Sequence, residues 1–196
     1  MGASLLPITI INGKIHFLFG KERDYDENPG WSDFGGGTDN NESYLETAIR
    51  EGGEELTGFL GNSSDIRKMV KKYGTYNIDY KNDKYPVYRV HIFPIKYNPY
   101  LGIYYNNNQK FLQTHLNKNI LRDTKIFEKT QIKWFSFNEI KKNKSMFRKF
   151  YQNIIDLIVI NKKNINHFLA KAHKYTKNNT KYRHKSKNKT MKKVFN

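Results

Sequence analysis

The sequence predicts an α/β domain followed by a basic, disordered tail. Two patterns point to the domain: a strand pair around an Asn-Gly turn near the N-terminus, and a glycine run that leads into an amphipathic helix. Charge points to the tail. Twelve of the 35 Lys and Arg lie in residues 161–196, which hold no Asp or Glu, so the formal charge of +17 leaves only +5 for the first 160 residues. Residues 174–193 are rich in Lys, Asn, Thr and Ser and cannot bury enough surface to offset their ordering entropy.

Residues 8–11 and 15–19 read as short strands joined by Asn12-Gly13, a strong hairpin signal. Residues 21–30 are charged and read as a loop, and 31–34 as a strand ending at Gly35-Gly36-Gly37. Residues 42–56 read as a helix. Tyr44, Leu45, Ala48 and Ile49 recur at helical spacing, Asn40 or Asn41 is the expected cap, and Glu42 and Glu46 suit the positive end of the dipole. Gly52 and Gly53 interrupt that helix, at about 1 kcal/mol each against Ala, which points to a close approach there.

Residues 65–72 suggest a second short helix. Residues 74–80 and 85–95 read as strands with a turn at 81–84; Val87, Arg89, His91 and Phe93 alternate with Tyr88, Val90 and Ile92. Residues 98–123 form a Tyr- and Asn-rich insertion with no clear pattern. Residues 131–137 read as a strand, 138–142 as a helix start, and 145–169 as a C-terminal helix with Phe147, Phe150, Tyr151, Ile154, Ile155 and Ile158 as its stripe. The expected division is a domain over 1–170 and a tail over 171–196.

Composition excludes several classes. With no Cys there are no disulfides, thiolate-zinc sites, iron–sulfur clusters or thiol nucleophiles, as suits a reducing, cytoplasmic setting. The hydrophobic fraction is low at 37%, but 15% of the residues are aromatic and supply large buried areas. No apolar run approaches the roughly 20 residues that a bilayer requires, so no membrane partner is expected. The N-terminus has neither the basic region nor the apolar stretch of a signal peptide, and Leu6 stands where a myristoylation site has Ser or Thr.

The chemistry concentrates in residues 36–58. Gly36 is followed after five residues by Glu42, and after seven more by Arg50-Glu51, then Glu54-Glu55. On a helix, Glu51, Glu54 and Glu55 stand at i, i+3 and i+4 and share one face. Such crowded carboxylates either form a solvated acidic face or hold a hard divalent cation, and Mg²⁺ favours carboxylate oxygens shared with substrate phosphates. Arg50 can fix a carboxylate by a bidentate pair, and the glycines let backbone approach a phosphate.

This spacing resembles the Nudix box: Gly, five residues, Glu, seven residues, Arg-Glu, an aliphatic residue, any residue, Glu-Glu, any residue, Gly, aliphatic. Gly36, Glu42, Arg50, Glu51, Glu54 and Glu55 match. Gly52 departs from the aliphatic position. Thr57 stands in place of Gly, with Gly58 one position late. The likeness extends over about residues 3–160, with Trp31 ahead of the glycines and Trp134-Phe135 ahead of Asn138-Glu139.

The resemblance implies an α/β/α sandwich with a mixed central sheet, and a pyrophosphohydrolase using Mg²⁺ or Mn²⁺ on a nucleoside diphosphate linked to another moiety. It implies that Glu51, Glu54 and Glu55 ligate metal, that Arg50 orients the carboxylates, and that Glu42 is structural. Gly36 and Gly37 would face substrate. The general base would come from the box or from elsewhere. Glu128 is the outside possibility, the alternative being an exposed loop carboxylate. Lys21 and Arg23 either grip distal phosphates or are surface charges. Tyr97, Tyr100, Tyr104 and Tyr105 either stack on a base or pack the insertion.

A homodimer is common in the family. The tail either attracts RNA or reflects A-rich codons. The composition is similar to that of proteins from large AT-rich DNA viruses, some of which encode Nudix decapping enzymes; a viral protein would sit in the host cytoplasm or the virion. Two further functions therefore stand beside the hydrolase: an mRNA decapping enzyme, and a non-catalytic nucleic-acid-binding scaffold, against which the intact carboxylates argue.

Overall fold

The computed structural model describes residues 1–23, 27–39, 41–82, 85–124 and 127–172. The expected disordered tail, from 173 on, lies outside the described residues, as do Asn40 and the tip of the turn at 81–84. The chain divides into two units, Met1–Lys162 and Lys163–Asn196. In the second, residues 163–172 are helical, with Ile165, Leu169 and Ala172 buried.

The first unit is built on a seven-stranded mixed sheet. Strands β1 (Gly2–Ile11) and β2 (Lys14–Glu22) form the expected hairpin, and both run longer than their apolar cores suggest. Asn12 and Gly13 turn it with φ of 48° and 74°, the left-handed pair that this turn demands. Strands β3 (Trp31–Ser32) and β4 (Phe34–Gly37) form one extended segment. It wedges between the first two strands: β3 pairs with β2, and β4 with the start of β1. β5 (Tyr76–Asn82) and β6 (Tyr85–Pro94) form an antiparallel pair, and β6 joins β1 in parallel. β7 (Lys129–Ser136) pairs with the other edge of β2.

Helices cover both faces. α1 (Tyr44–Glu55) packs on β1, β4 and β6, with α2 (Ser63–Tyr73) beside it. Ala3, Leu5, Leu18, Phe34, Ala48, Ile49 and Phe93 form the core on that side. Alternation along β2 sends Phe17 and Phe19 to the opposite face. There Phe17 meets Phe137 edge-on, and Phe19 meets Phe135, Phe147 and Tyr151 in edge-on ring contacts, such as Phe19 with Phe147 at 4.9 Å and 83°. α5 (Phe137–Lys142) and α6 (Tyr151–Ile160) complete this layer. The result is the expected α/β/α sandwich.

Two expectations are corrected, the cap of α1 and the unbroken C-terminal helix, and the insertion acquires a structure. The cap of α1 is Ser43, not Asn40 or Asn41. Its side chain accepts the Glu46 N–H while Glu46 accepts the Ser43 N–H, a capping box that starts the helix two residues later than expected. The insertion is two helices, α3 (Leu101–His115) and α4 (Lys118–Asp123). α3 lies beside β7, where the Asn106 amide donates to the Ile132 carbonyl at 3.2 Å and accepts its N–H at 2.7 Å, closing off strand-edge groups. The single C-terminal helix is broken. Residues Lys144–Met146 form a 3-10 turn, Phe147 is extended and bridges to Trp31, and α6 begins only at Tyr151. Arg148 N–H donates to the Trp31 carbonyl at 3.1 Å, so strand-like pairing there replaces a helical turn.

Candidate active site

The site assembles where β4 lies along α1. The glycines of β4 allow the approach. A Cβ on Gly35 would stand 2.3 Å from Ser4 Cβ, and one on Gly36 would stand 2.6 Å from the Glu51 carboxylate. Gly35 N–H donates to Glu55 Oε2 at 2.8 Å. Thus the glycine run and two of the three helix carboxylates are brought together.

Arg50 clamps the upper part. Its Nε and Nη2 donate to the two Glu42 oxygens at 2.8 and 3.0 Å, Nη1 to Glu51 Oε1 at 2.6 Å, and Nη2 to the Gly37 carbonyl at 3.0 Å. Arg50 holds the Glu42 carboxyl down at about 2, far below its usual 4.5. Glu42 also accepts the Thr47 hydroxyl at 3.0 Å, which ties it to the start of α1. Glu54 is the open carboxylate: its side chain is 39% exposed and its Oε1 stands 3.8 Å from Arg50 Nη1.

Glu55 points inward. It is 3% exposed, and its Oε1 stands 3.3 Å from the Lys129 ammonium. Burial pushes its carboxyl well above the ordinary value, with the Lys129 charge opposing. Lys129 also pairs with Glu22, and Glu22 accepts from Arg148 Nη1 at 2.8 Å. Lys129, Glu22 and Arg148 were not readable as site residues, because no local motif marks them; 107 residues separate Lys129 from Glu22. Lys129 and Glu22 meet because β7 pairs with β2, and Arg148 joins them from the segment that docks on Trp31.

Glu128 is half-buried beside this group. Burial raises its carboxyl above the usual range, the Glu22 charge adds to the rise, and Lys129 opposes it; Glu51 and Arg23 also act on it. It therefore belongs to the site's electrostatic neighbourhood. Arg23 donates to the Leu121 carbonyl at 2.9 Å, which ties it to α4. Lys21 lies within β2, opposite Trp31 and Gln131.

The Tyr cluster separates. Tyr105 is fully buried and its hydroxyl donates to the Glu55 carbonyl at 2.7 Å, so the insertion supports the end of α1. Tyr97 packs edge-on against Trp134. Tyr100 and Tyr104 are exposed, at 57% and 61%. A cavity of about 420 Å³ reaches Gly36 and Gly37, with Tyr80, Tyr88 and Phe150 among its walls.

The two departures from the box acquire causes. Gly52 is buried against Leu5, whose side chain occupies the space of the missing aliphatic group. Thr57 has φ of 47°, the left-handed conformation for which glycine is suited, and Gly58 follows at 79°.

Among the described residues, no three carboxylate or imidazole groups converge to hold an ion as they stand. Glu51 and Glu55 are instead turned to the internal cations Arg50 and Lys129. The donor chemistry nevertheless fits Mg²⁺ or Mn²⁺: hard carboxylate oxygens on one helix face, with Glu54 open to solvent.

No family model matches the chain, and no curated protein matches it. Solved structures do. An Ap4A hydrolase from C. elegans, in a binary complex, superposes with a TM-score of 0.51 at 16% identity, covering 87% of this chain and 98% of that one. A bifunctional NMN adenylyltransferase/ADP-ribose pyrophosphatase from Francisella tularensis, complexed with AMP and a Mn ion, gives 0.49 at 17%, covering 81% and 40%. A mutT/nudix family protein from Listeria innocua gives 0.42 at 16%, covering 86% and 94%. The fold is that of the Nudix hydrolases.

Proposed function

We propose that the chain is a divalent-metal-dependent Nudix pyrophosphohydrolase that cleaves a nucleoside-diphosphate-linked substrate. The observation that carries this reading is the placement of Glu51, Glu54 and Glu55 along α1 beside the backbone of Gly35–Gly37. Glu51, Glu54 and Glu55 would hold Mg²⁺ or Mn²⁺, which when bound supplies charge neutralisation for a diphosphate and a water of lowered pKa.

The chain's own groups do the rest. Arg50 fixes Glu51 and the β4 backbone in one frame. Glu128, with its raised carboxyl, is the base in this reading: a carboxylate oxygen takes the proton of the attacking water as a phosphoanhydride P–O bond breaks. Tyr80, Tyr88 and Phe150 give the cavity beside Gly36 and Gly37 aromatic walls suited to a nucleobase.

The test is phosphate release with Mg²⁺ or Mn²⁺ over nucleoside triphosphates, ADP-ribose, dinucleoside polyphosphates, inositol pyrophosphates and cap-labelled RNA. Glu54→Gln is the variant of choice because Glu54 is partly exposed and its loss leaves the core intact. Metal-dependent turnover of one class, lowered by roughly 100-fold in Glu54→Gln with an unchanged melting temperature, supports the reading. No turnover of any class, or turnover indifferent to metal, overturns it.

A further inference from the structure

Lys129 is a buried cation that the reading above leaves without a task. Its side chain is 1% exposed. The stem runs across Gly20, where a Cβ would stand 2.8 Å from Lys129 Cδ and 3.0 Å from Cγ; a side chain at position 20 would block its path. At the end of that path the ammonium donates to Ser32 Oγ at 2.8 Å and to Glu22, and stands 3.3 Å from Glu55 Oε1.

A buried ammonium is costly, and an apolar residue of similar volume would often serve stability as well or better. Here the cost is met by two buried carboxylates from different elements. Glu22 is further held by Arg148, and Glu55 by the Gly35 N–H. One positive charge thus sits between a carboxylate of the sheet and the last carboxylate of α1. Both carboxylates are hard oxygen donors of the kind that binds Mg²⁺ or Mn²⁺.

We propose that the Lys129 ammonium takes the place of one divalent ion among the site's carboxylates, and so sets how many ions the site can hold. This rests on reading Glu51, Glu54 and Glu55 as a metal site. Lys129 is then a positioning residue: it fixes Glu22 and the Glu55 oxygen that it faces, and leaves the rest of the Glu51, Glu54 and Glu55 cluster to exchangeable ions.

The experiment counts Mn²⁺ bound to the full chain, by calorimetric titration and by the paramagnetic resonance of the unbound ion, in wild type, Lys129→Met and Lys129→Arg. Lys129→Met should bind one more Mn²⁺ per chain than wild type, whereas Lys129→Arg, which keeps the charge, should bind the wild-type number. An unchanged or lower number in Lys129→Met overturns the proposal.

Lys129→Met leaves Glu22 and Glu55 without their shared ammonium, so its melting is followed with and without millimolar Mn²⁺. A variant that folds only with Mn²⁺ supports the proposal, and one that fails to fold at any Mn²⁺ concentration overturns it, since a divalent ion then cannot replace the ammonium. The metal-site reading is scored separately, by whether wild type binds Mn²⁺ and Glu54→Gln weakens that binding.

Discussion

Leu5 of the central strand fills the space that a side chain at position 52 would need: a Cβ built on Gly52 would stand 2.7 Å from Leu5 Cδ1 and 3.2 Å from Cγ. Leu5 is fully buried. The next residue differs. A Cβ on Gly53 would meet Ser63 Oγ at 3.6 Å and Ile66 Cδ1 at 3.9 Å, ordinary contacts. Both positions are helical, so alanine at either gains about 1 kcal/mol of helix propensity. At Gly53 that gain should appear as added stability. At Gly52, overpacking of about 1–3 kcal/mol should outweigh it. Urea unfolding of Gly52→Ala and Gly53→Ala should therefore shift in opposite directions, and Leu5→Ala should partly rescue the first. Equal stabilisation by both would show that Leu5 yields freely.

Thr57 ends the same helix at a strained angle. Its φ of 47° places a β-branched residue in the left-handed region, at about 1–2 kcal/mol. Its hydroxyl finds no hydrogen-bond partner among the described residues. Thr57→Gly removes the strain but loosens the unfolded chain by roughly 0.5–1 kcal/mol, so the net change should be a gain of up to about 1 kcal/mol. A rise in the denaturant midpoint at constant slope is the expected result. A fall would mean that the backbone at 57 is not strained.

The box was legible because its spacing is local: Arg50, Glu51, Glu54 and Glu55 lie on one short helix, and the face they share follows from helical period alone. The hairpin was legible for the same reason, through Asn12-Gly13. The cap is also a local signal, since Ser43 and Glu46 carry the capping-box spacing, and it prevails over the Asn-rich approach to the helix. What could not be read is long-range. Glu22, Lys129 and Arg148 come together only after β7 pairs with β2 and the segment around Phe147 docks on Trp31. The break before α6 escaped because Phe147, Tyr151, Ile154 and Ile155 are all buried, so the apolar pattern passes through the break. Gly52 misled because its packing partner is 47 residues away in sequence.

Asp33 gives the molecule a pH dependence of identifiable sign. It is 1% exposed, and accepts the Tyr88 hydroxyl at 2.9 Å and the Ser4 hydroxyl. Burial raises its carboxyl from 3.8 to about 6, against the lowering effect of those two hydrogen bonds. The folded state thus binds a proton that the unfolded state has already released. Stability from this group is complete below about pH 4 and falls as pH rises to about 6, by roughly 3 kcal/mol in all. His91 works oppositely over nearly the same interval. Burial lowers its imidazole from 6.5 to about 4, so its contribution is complete above about pH 6.5 and is lost as pH falls toward 4. Wild type should therefore show a shallow net dependence from these two groups. Asp33→Asn keeps the volume and removes the Asp33 part. Its stability relative to wild type should climb between pH 4 and 6 and then stay level, as read by urea titrations at half-unit steps. A difference that does not vary with pH would show that Asp33 titrates alike in the folded and unfolded chains.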